Sequence, residues 1–170
     1  MIAYNTNANQ VLDVLENDLK ALSGEQADKI MREIAQALTA HIVVRVHQEG
    51  KAADGSKIGT YSPEYMKVRT GQTGQTKDKG KARKKYNRTS DTTVILSLTR
   101  QMEMDLTTCE QNPAKIANGY AIGYQNNFNY DKAIWNEDRY NKKILTQLSK
   151  EEEALALLIV KNRIDDIFAG

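Results

Sequence analysis

The chain has one cysteine, Cys109, among 170 residues, which excludes an internal disulfide framework and any cysteine-based zinc site. His41 and His47 lie far from Cys109 in sequence, so the expected role of that cysteine is a small residue in or beside a strand rather than a catalytic thiol. Long apolar runs are also missing, and no stretch approaches the length needed to span a bilayer. The first residues, Met1 to Asn5, lack the basic region and apolar core of a secretory signal, so synthesis in a reducing cytosol is expected. Catalytic signatures are lacking as well, with no HExxH, GxSxG or Walker pattern. We therefore expect no enzyme activity, no cofactor and no metal. Net charge is only +2, which gives no general argument for nucleic-acid binding and leaves local clustering to decide.

What is present is a chain long enough for one domain, expected to span residues 1–170, with 40% hydrophobic and 27% charged residues. From Thr6 to Leu22 the residues Val11, Leu12, Val14, Leu15, Leu19 and Leu22 recur at helical spacing. Ser23 with Gln26 then makes a capping-box pattern for a second helix, whose apolar stripe is Ile30, Ile34, Ala37, Leu38 and His41. Arg45 and His47 fall near its C-terminal end, where positive charge suits the helix dipole. These helices are expected to fill residues 6–48.

The segment from Gly50 to Pro63 reads as a tight corner. Asp54-Gly55 and Gly59 are turn punctuation, and Ser62-Pro63 reads as an N-cap followed by proline at the first helical position. A short helix to about Val68, with Tyr65 and Met66 facing inward, should follow. Residues 70–91 then offer almost nothing to bury. Within them Lys77, Lys79, Lys81, Arg83, Lys84, Lys85 and Arg88 stand against the single acid Asp78. A loop this long inside a small domain is generally functional or disordered. Three readings stay open: a solvated connection, phosphate contact without sequence readout, or an arm that orders against an acidic neighbour. Tyr86 is the only aromatic interleaved there, so that loop is not a base-stacking platform.

Residues 94–146 are read as the sheet region. Val94 to Leu98 fits either a short helix capped by Asp91 or an alternating strand. Met102, Met104 and Leu106 alternate with polar residues and predict a half-buried strand. Asn112-Pro113 marks a turn, and a second strand alternates from Ile116 to Tyr124. A polar loop over 125–131, a short turn carrying Trp135 and Tyr140, and a return of Lys143 to Leu145 to the sheet complete this part. Ser149 with Glu152 forms a capping box for a last helix to residue 168, with Ala154, Leu157, Val160, Ile164, Ile167 and Phe168 on its apolar face. Glu151, Glu152 and Glu153 read as a charged helix start. The expected fold class is α+β: two N-terminal helices, a small antiparallel β-sheet, a long basic loop and a C-terminal helix packed on the sheet.

The order of these features resembles the virion morphogenesis and tail-completion (head–tail joining) proteins of tailed bacteriophages. Asp54 to Pro63 is similar to that family's DG-x-x-x-G-x-(Y/W) corner. Leu98-Thr99-Arg100-Gln101-Met102 resembles its T-G-x-(L/M) element, with Arg100 where the family usually has Gly. Tyr120 to Tyr124 resembles its Y-A-x-x-(H/Y) strand, and Lys143 to Ser149 its lead into the last helix. Asn126 to Asn129 stand where the family usually has His-x-x-Gly. The resemblance covers roughly residues 30 to 168. It implies a structural virion protein at the neck or tail, assembled as an oligomeric ring of copies of itself. It also implies neighbouring portal, neck or tail-tube proteins as partners, possible non-specific contact with DNA, and no membrane. The alternative is a small nucleic-acid-binding accessory protein that works through residues 77–88.

Overall fold

The computed structural model describes residues 24–70, 92–96 and 100–168. The helix expected over 6–22, Ser23 and the whole basic cluster from Lys77 to Arg88 lie outside the described residues. Within them the fold is α+β, with five α-helices and a two-stranded antiparallel sheet.

Helix α1, Gly24–Val43, buries Ile30, Ile34, Leu38 and Ile42, one residue per turn on a single line. It runs into a π-helical turn, Val44–Gln48, which Glu49 N closes on Val44 O at 3.0 Å. The wider turn changes which residues face inward, and three consecutive side chains, Arg45, Val46 and His47, are buried. Neither cation serves the solvated helix end that the dipole argument anticipates. His41 is half-buried, its side chain being 40% exposed.

The corner is a hub. Gly50 has φ +65°, and a Cβ there would collide with the carbonyl oxygen of Val94. Gly55 has φ +78°, and Asp54 Oδ1 accepts the Ser56 amide at 2.9 Å, so this turn forms as the sequence predicts. Gly59 is needed for a different reason. Its φ is ordinary, but a Cβ would stand 2.6 Å from the ring of Tyr140. Ala53 N donates to Lys143 O at 2.8 Å and Lys142 Nζ to Ser56 Oγ at 2.7 Å, which fastens the corner to the distant 142–143 segment. Gly59 O and Tyr61 N pair with Val94 N and Thr92 O, so residues 92–94 run extended beside the corner. Ser62 caps helix α2, Pro63–Arg69, accepting from Tyr65 N. Val68 and Arg69 are its buried residues, while Tyr65 and Met66 are half-buried.

Five expectations are corrected. Met102 to Leu106 is not a strand but part of helix α3, Gln101–Gln111, with Met102, Leu106 and Cys109 buried at helical spacing and Met104 66% exposed. The sheet is only β1, Lys115–Ile116, paired with β2, Gly119–Tyr120, around a two-residue turn. The supposed loop and turn over 125–140 are one helix, α4, Asn127–Tyr140, capped by the Asn126 side chain on Phe128 N at 2.9 Å. Lys143 to Leu145 do not join the sheet: the amides of Ile144, Leu145 and Thr146 all donate to Glu137 Oε1 instead, at 2.8, 2.7 and 2.9 Å. Helix α5, Lys150–Phe168, has the predicted capping box, with Ser149 N to Glu152 Oε2 at 2.7 Å and Glu152 N to Ser149 Oγ at 3.2 Å. It packs on α1 rather than on the sheet, burying Glu152, Ala156 and Val160 and leaving Ala154 and Leu157 exposed.

Candidate functional site

The seven cations proposed as contact residues, Lys77, Lys79, Lys81, Arg83, Lys84, Lys85 and Arg88, are not placed relative to any other group, because all lie outside the described residues. Their flanks are placed. Thr70 ends α2, and Thr92 accepts from Tyr61 N. The second flank therefore begins at the corner, and the first ends one short helix beyond it.

Beside that corner lies a groove of about 350 Å³ between α2, Leu96, residues 100–102 and α4. Tyr61, Tyr65, Trp135 and Tyr140 supply aromatic walls, Leu96 and Met102 supply apolar ones, and Arg100, Lys132 and Arg139 supply charge. Among the described residues no carboxylate lines it. Each wall has a local cause. Tyr140 lies against the bare backbone of Gly59. Tyr61 is pinned by its hydroxyl, which donates to Ile95 O and accepts from Ile95 N at 3.1 Å. Burial pushes the Tyr61 phenol up to about 12, against a smaller lowering by Arg69, so it is a neutral donor at physiological pH. Burial likewise raises Tyr65. The two rings sit with centroids 4.9 Å apart at 40°.

Behind these rings is Arg69, fully buried, its guanidinium 4.7 Å from the Tyr61 centroid. Nη1 reaches the Tyr61 hydroxyl at 3.4 Å, while Nε and Nη2 have no hydrogen-bond partner. Among the described residues no carboxylate pairs with it. An uncompensated guanidinium adds positive potential to the groove wall.

The other buried ionic groups serve the fold. Arg45 Nε donates to Glu152 Oε1 at 2.7 Å, and its Nη groups reach Glu152 Oε2, Ile144 O and Lys51 O. Burial alone would raise the Glu137 carboxyl, but the donors of Thr146, Leu145 and Ile144 together hold it below the usual carboxylate value. Both carboxylates are occupied by internal donors. Among the described residues there is no group of three or more His, Cys, Asp or Glu side chains placed to hold a metal ion. Nor, among them, is any helix long and apolar enough to cross a membrane. The groove presents ring faces and cations, with phenols, the Gln101 and Asn136 amides and the Ser62 hydroxyl as minor hydrogen-bonding groups.

Sequence reasoning missed the groove because it missed α4. A signal was present: Phe128, Lys132, Trp135 and Arg139 are spaced by four, three and four, which is one face of a helix. No protein-family model, curated protein or solved structure matches the chain.

Proposed function

We propose that the chain is a non-enzymatic structural protein of a tailed-bacteriophage virion, a head–tail joining or tail-completion component that assembles as a ring at the neck or tail. The reading rests on the order of motifs that resembles that family. The observation that carries it furthest is how the corner motif is used. Gly50, Gly55, Gly59, Tyr61 and Ser62 each have a distinct structural task, and together they tie the end of α1, the 92–96 segment and the chain after α4 to one point. Arg100 adds support. It stands where the family usually carries glycine and holds φ +61°, the left-handed conformation that glycine adopts without strain.

In this role the partners are copies of the chain itself, arranged head to tail so that rotation closes the ring, and the neighbouring portal, neck or tail-tube proteins. The basic segment holding Lys77 to Arg88 faces passing DNA or an acidic neighbour. The protein is made in the bacterial host cytoplasm and is then carried in the particle.

The test is genetic and compositional. A phage in which the coding sequence is disrupted should accumulate filled heads and free tails that do not join. Quantitative mass spectrometry of intact particles should find the chain at a small fixed copy number, on the order of six or twelve as cyclic closure allows. Normal infectious particles formed without the chain would overturn the proposal.

A further inference from the structure

We propose that the outer face of α4, together with the groove beside it, is a binding site for single-stranded nucleic acid. Four side chains form a line along this helix: Phe128, Lys132, Trp135 and Arg139. Aromatic and cation alternate. The rings are open to solvent, Phe128 at 65% and Trp135 at 57%, although large apolar side chains usually find cover. Each ring carries the next cation over its face, Lys132 Nζ at 4.1 Å from the Phe128 centroid and the Arg139 guanidinium at 5.1 Å from that of Trp135. The eleven residue-to-residue steps from Phe128 to Arg139 extend about 16 Å, room for on the order of three to five nucleotides.

The charge pattern selects the occupant. Lys132, Arg139 and Arg100 border the groove, Arg100 with Glu103 3.7 Å away; among the described residues no carboxylate lines the groove and none pairs with the Arg69 guanidinium behind its wall. Asp131 and Asp138 are exposed on α4, but outside the groove's lining. An anionic ligand is therefore favoured. The alternation then distinguishes among anions. A single strand presents phosphates and flat bases in regular succession, and aromatic faces interleaved with cations accept both without reading sequence. A duplex hides its base faces. An acidic peptide would be held by the cations alone and would leave the exposed faces of Phe128 and Trp135 unused. This inference is independent of the structural role proposed above, since either can hold without the other.

Trp135 is the only tryptophan in the chain, so its fluorescence reads the site directly. The experiment titrates the full-length protein with an oligothymidylate of about ten nucleotides. Fluorescence is followed on the protein and anisotropy on a labelled oligonucleotide. Quenching of Trp135 is expected, with affinity falling linearly in log salt. Trp135→Ala and Phe128→Ala, both at exposed positions, should each weaken binding about tenfold, and Arg139→Ala should lower the salt slope by about one. The proposal is overturned by any of four results. These are no binding at low salt, equal binding of the duplex, or quenching by an oligoglutamate peptide and not by the oligonucleotide. The fourth is binding that survives Trp135→Ala but is lost when Lys81, Arg83, Lys84 and Lys85 are changed to Ala.

Discussion

Two arginines are buried among the described residues, and they are buried in opposite ways. Arg45, in the π-helical turn after α1, has its charge matched by Glu152 and its remaining donors spread over the carbonyls of Ile144 and Lys51. Arg69, at the end of α2, has a tyrosine ring, one long contact to a phenol and two nitrogens without partners. The first arrangement joins three distant stretches of chain through one ion pair and accounts for all its polar atoms. The second leaves a charge uncompensated among the described residues, next to the groove. Burying charge without a partner is costly, and native structures tolerate it mainly where something other than stability is served. The contrast separates a charge that fastens the fold from a charge that lies beside the groove.

The strongest way to break the contrast is Arg45→Met. It strands the Glu152 carboxylate in the interior, and loss of one member of a buried pair typically costs about 3–5 kcal/mol. Chemical denaturation should show the midpoint falling accordingly. Adding Glu152→Gln to the same chain should restore part of the loss, because the stranded charge is then gone. If Arg45→Met behaves as a mild surface change, the ion pair is not a fastening point, and the distinction between the two arginines collapses.

His47, two residues after Arg45, sharpens the comparison through pH. Burial lowers its pKa from 6.5 to about 4, against smaller raising effects from Glu103 and the Leu96 backbone. Its Nε2 lies 3.2 Å from the Tyr124 hydroxyl, and Nδ1 is buried without a partner. The unfolded chain therefore takes up a proton before the folded one does. The contribution of His47 is fully present above pH 6.5 and is lost as pH falls from there towards about 4, a difference of up to about 3 kcal/mol. His47→Gln should flatten stability against pH across that window and leave the steeper carboxylate-driven loss below it. An unchanged slope between pH 6.5 and 4 would mean that the histidine is protonated in the folded state.

The fold-holding half of the molecule was largely legible in the sequence. The stripe of α1, the Asp54-Gly55 turn, the Ser62-Pro63 cap and the Ser149–Glu152 capping box are local signals, and each reappears with its expected geometry. The half around the groove was not. In α3 an exposed Met104 imitated a period of two, while the true line of Met102, Leu106 and Cys109 required counting the cysteine as apolar. In α4 the buried positions are Asn129, Ala133 and Glu137, so the inward face has no apolar stripe at all. Asn129 Nδ2 bonds Asp105 at 2.9 Å and Glu137 collects the amides of 144–146, contacts that exist only once the chain has folded. A helix whose inner face is polar and whose outer face carries the large rings inverts the pattern on which sequence reading depends. Gly59 shows the same limit on a smaller scale. It read as a turn residue, yet its reason is a ring that arrives from 81 residues further along the chain.

The smallest expected effect is the one that most directly tests the contrast. Arg69→Met removes a cation–π contact with Tyr61, worth about 0.5–2 kcal/mol, and a hydrogen bond at the long end of the range. It also removes the desolvation cost of a guanidinium held from water with two unpartnered nitrogens, and buried charges replaced by apolar groups of similar length often leave stability unchanged or improved. These contributions oppose each other and have similar size. The denaturation midpoint should therefore move by no more than about 1 kcal/mol in either direction, against the several lost at Arg45. A loss as large as that of Arg45→Met would reveal a carboxylate partner for Arg69 outside the described residues, and the two arginines would then be fastened alike. A near-zero change in stability, joined to weaker oligothymidylate binding, would instead show that the unmatched charge is kept for the groove.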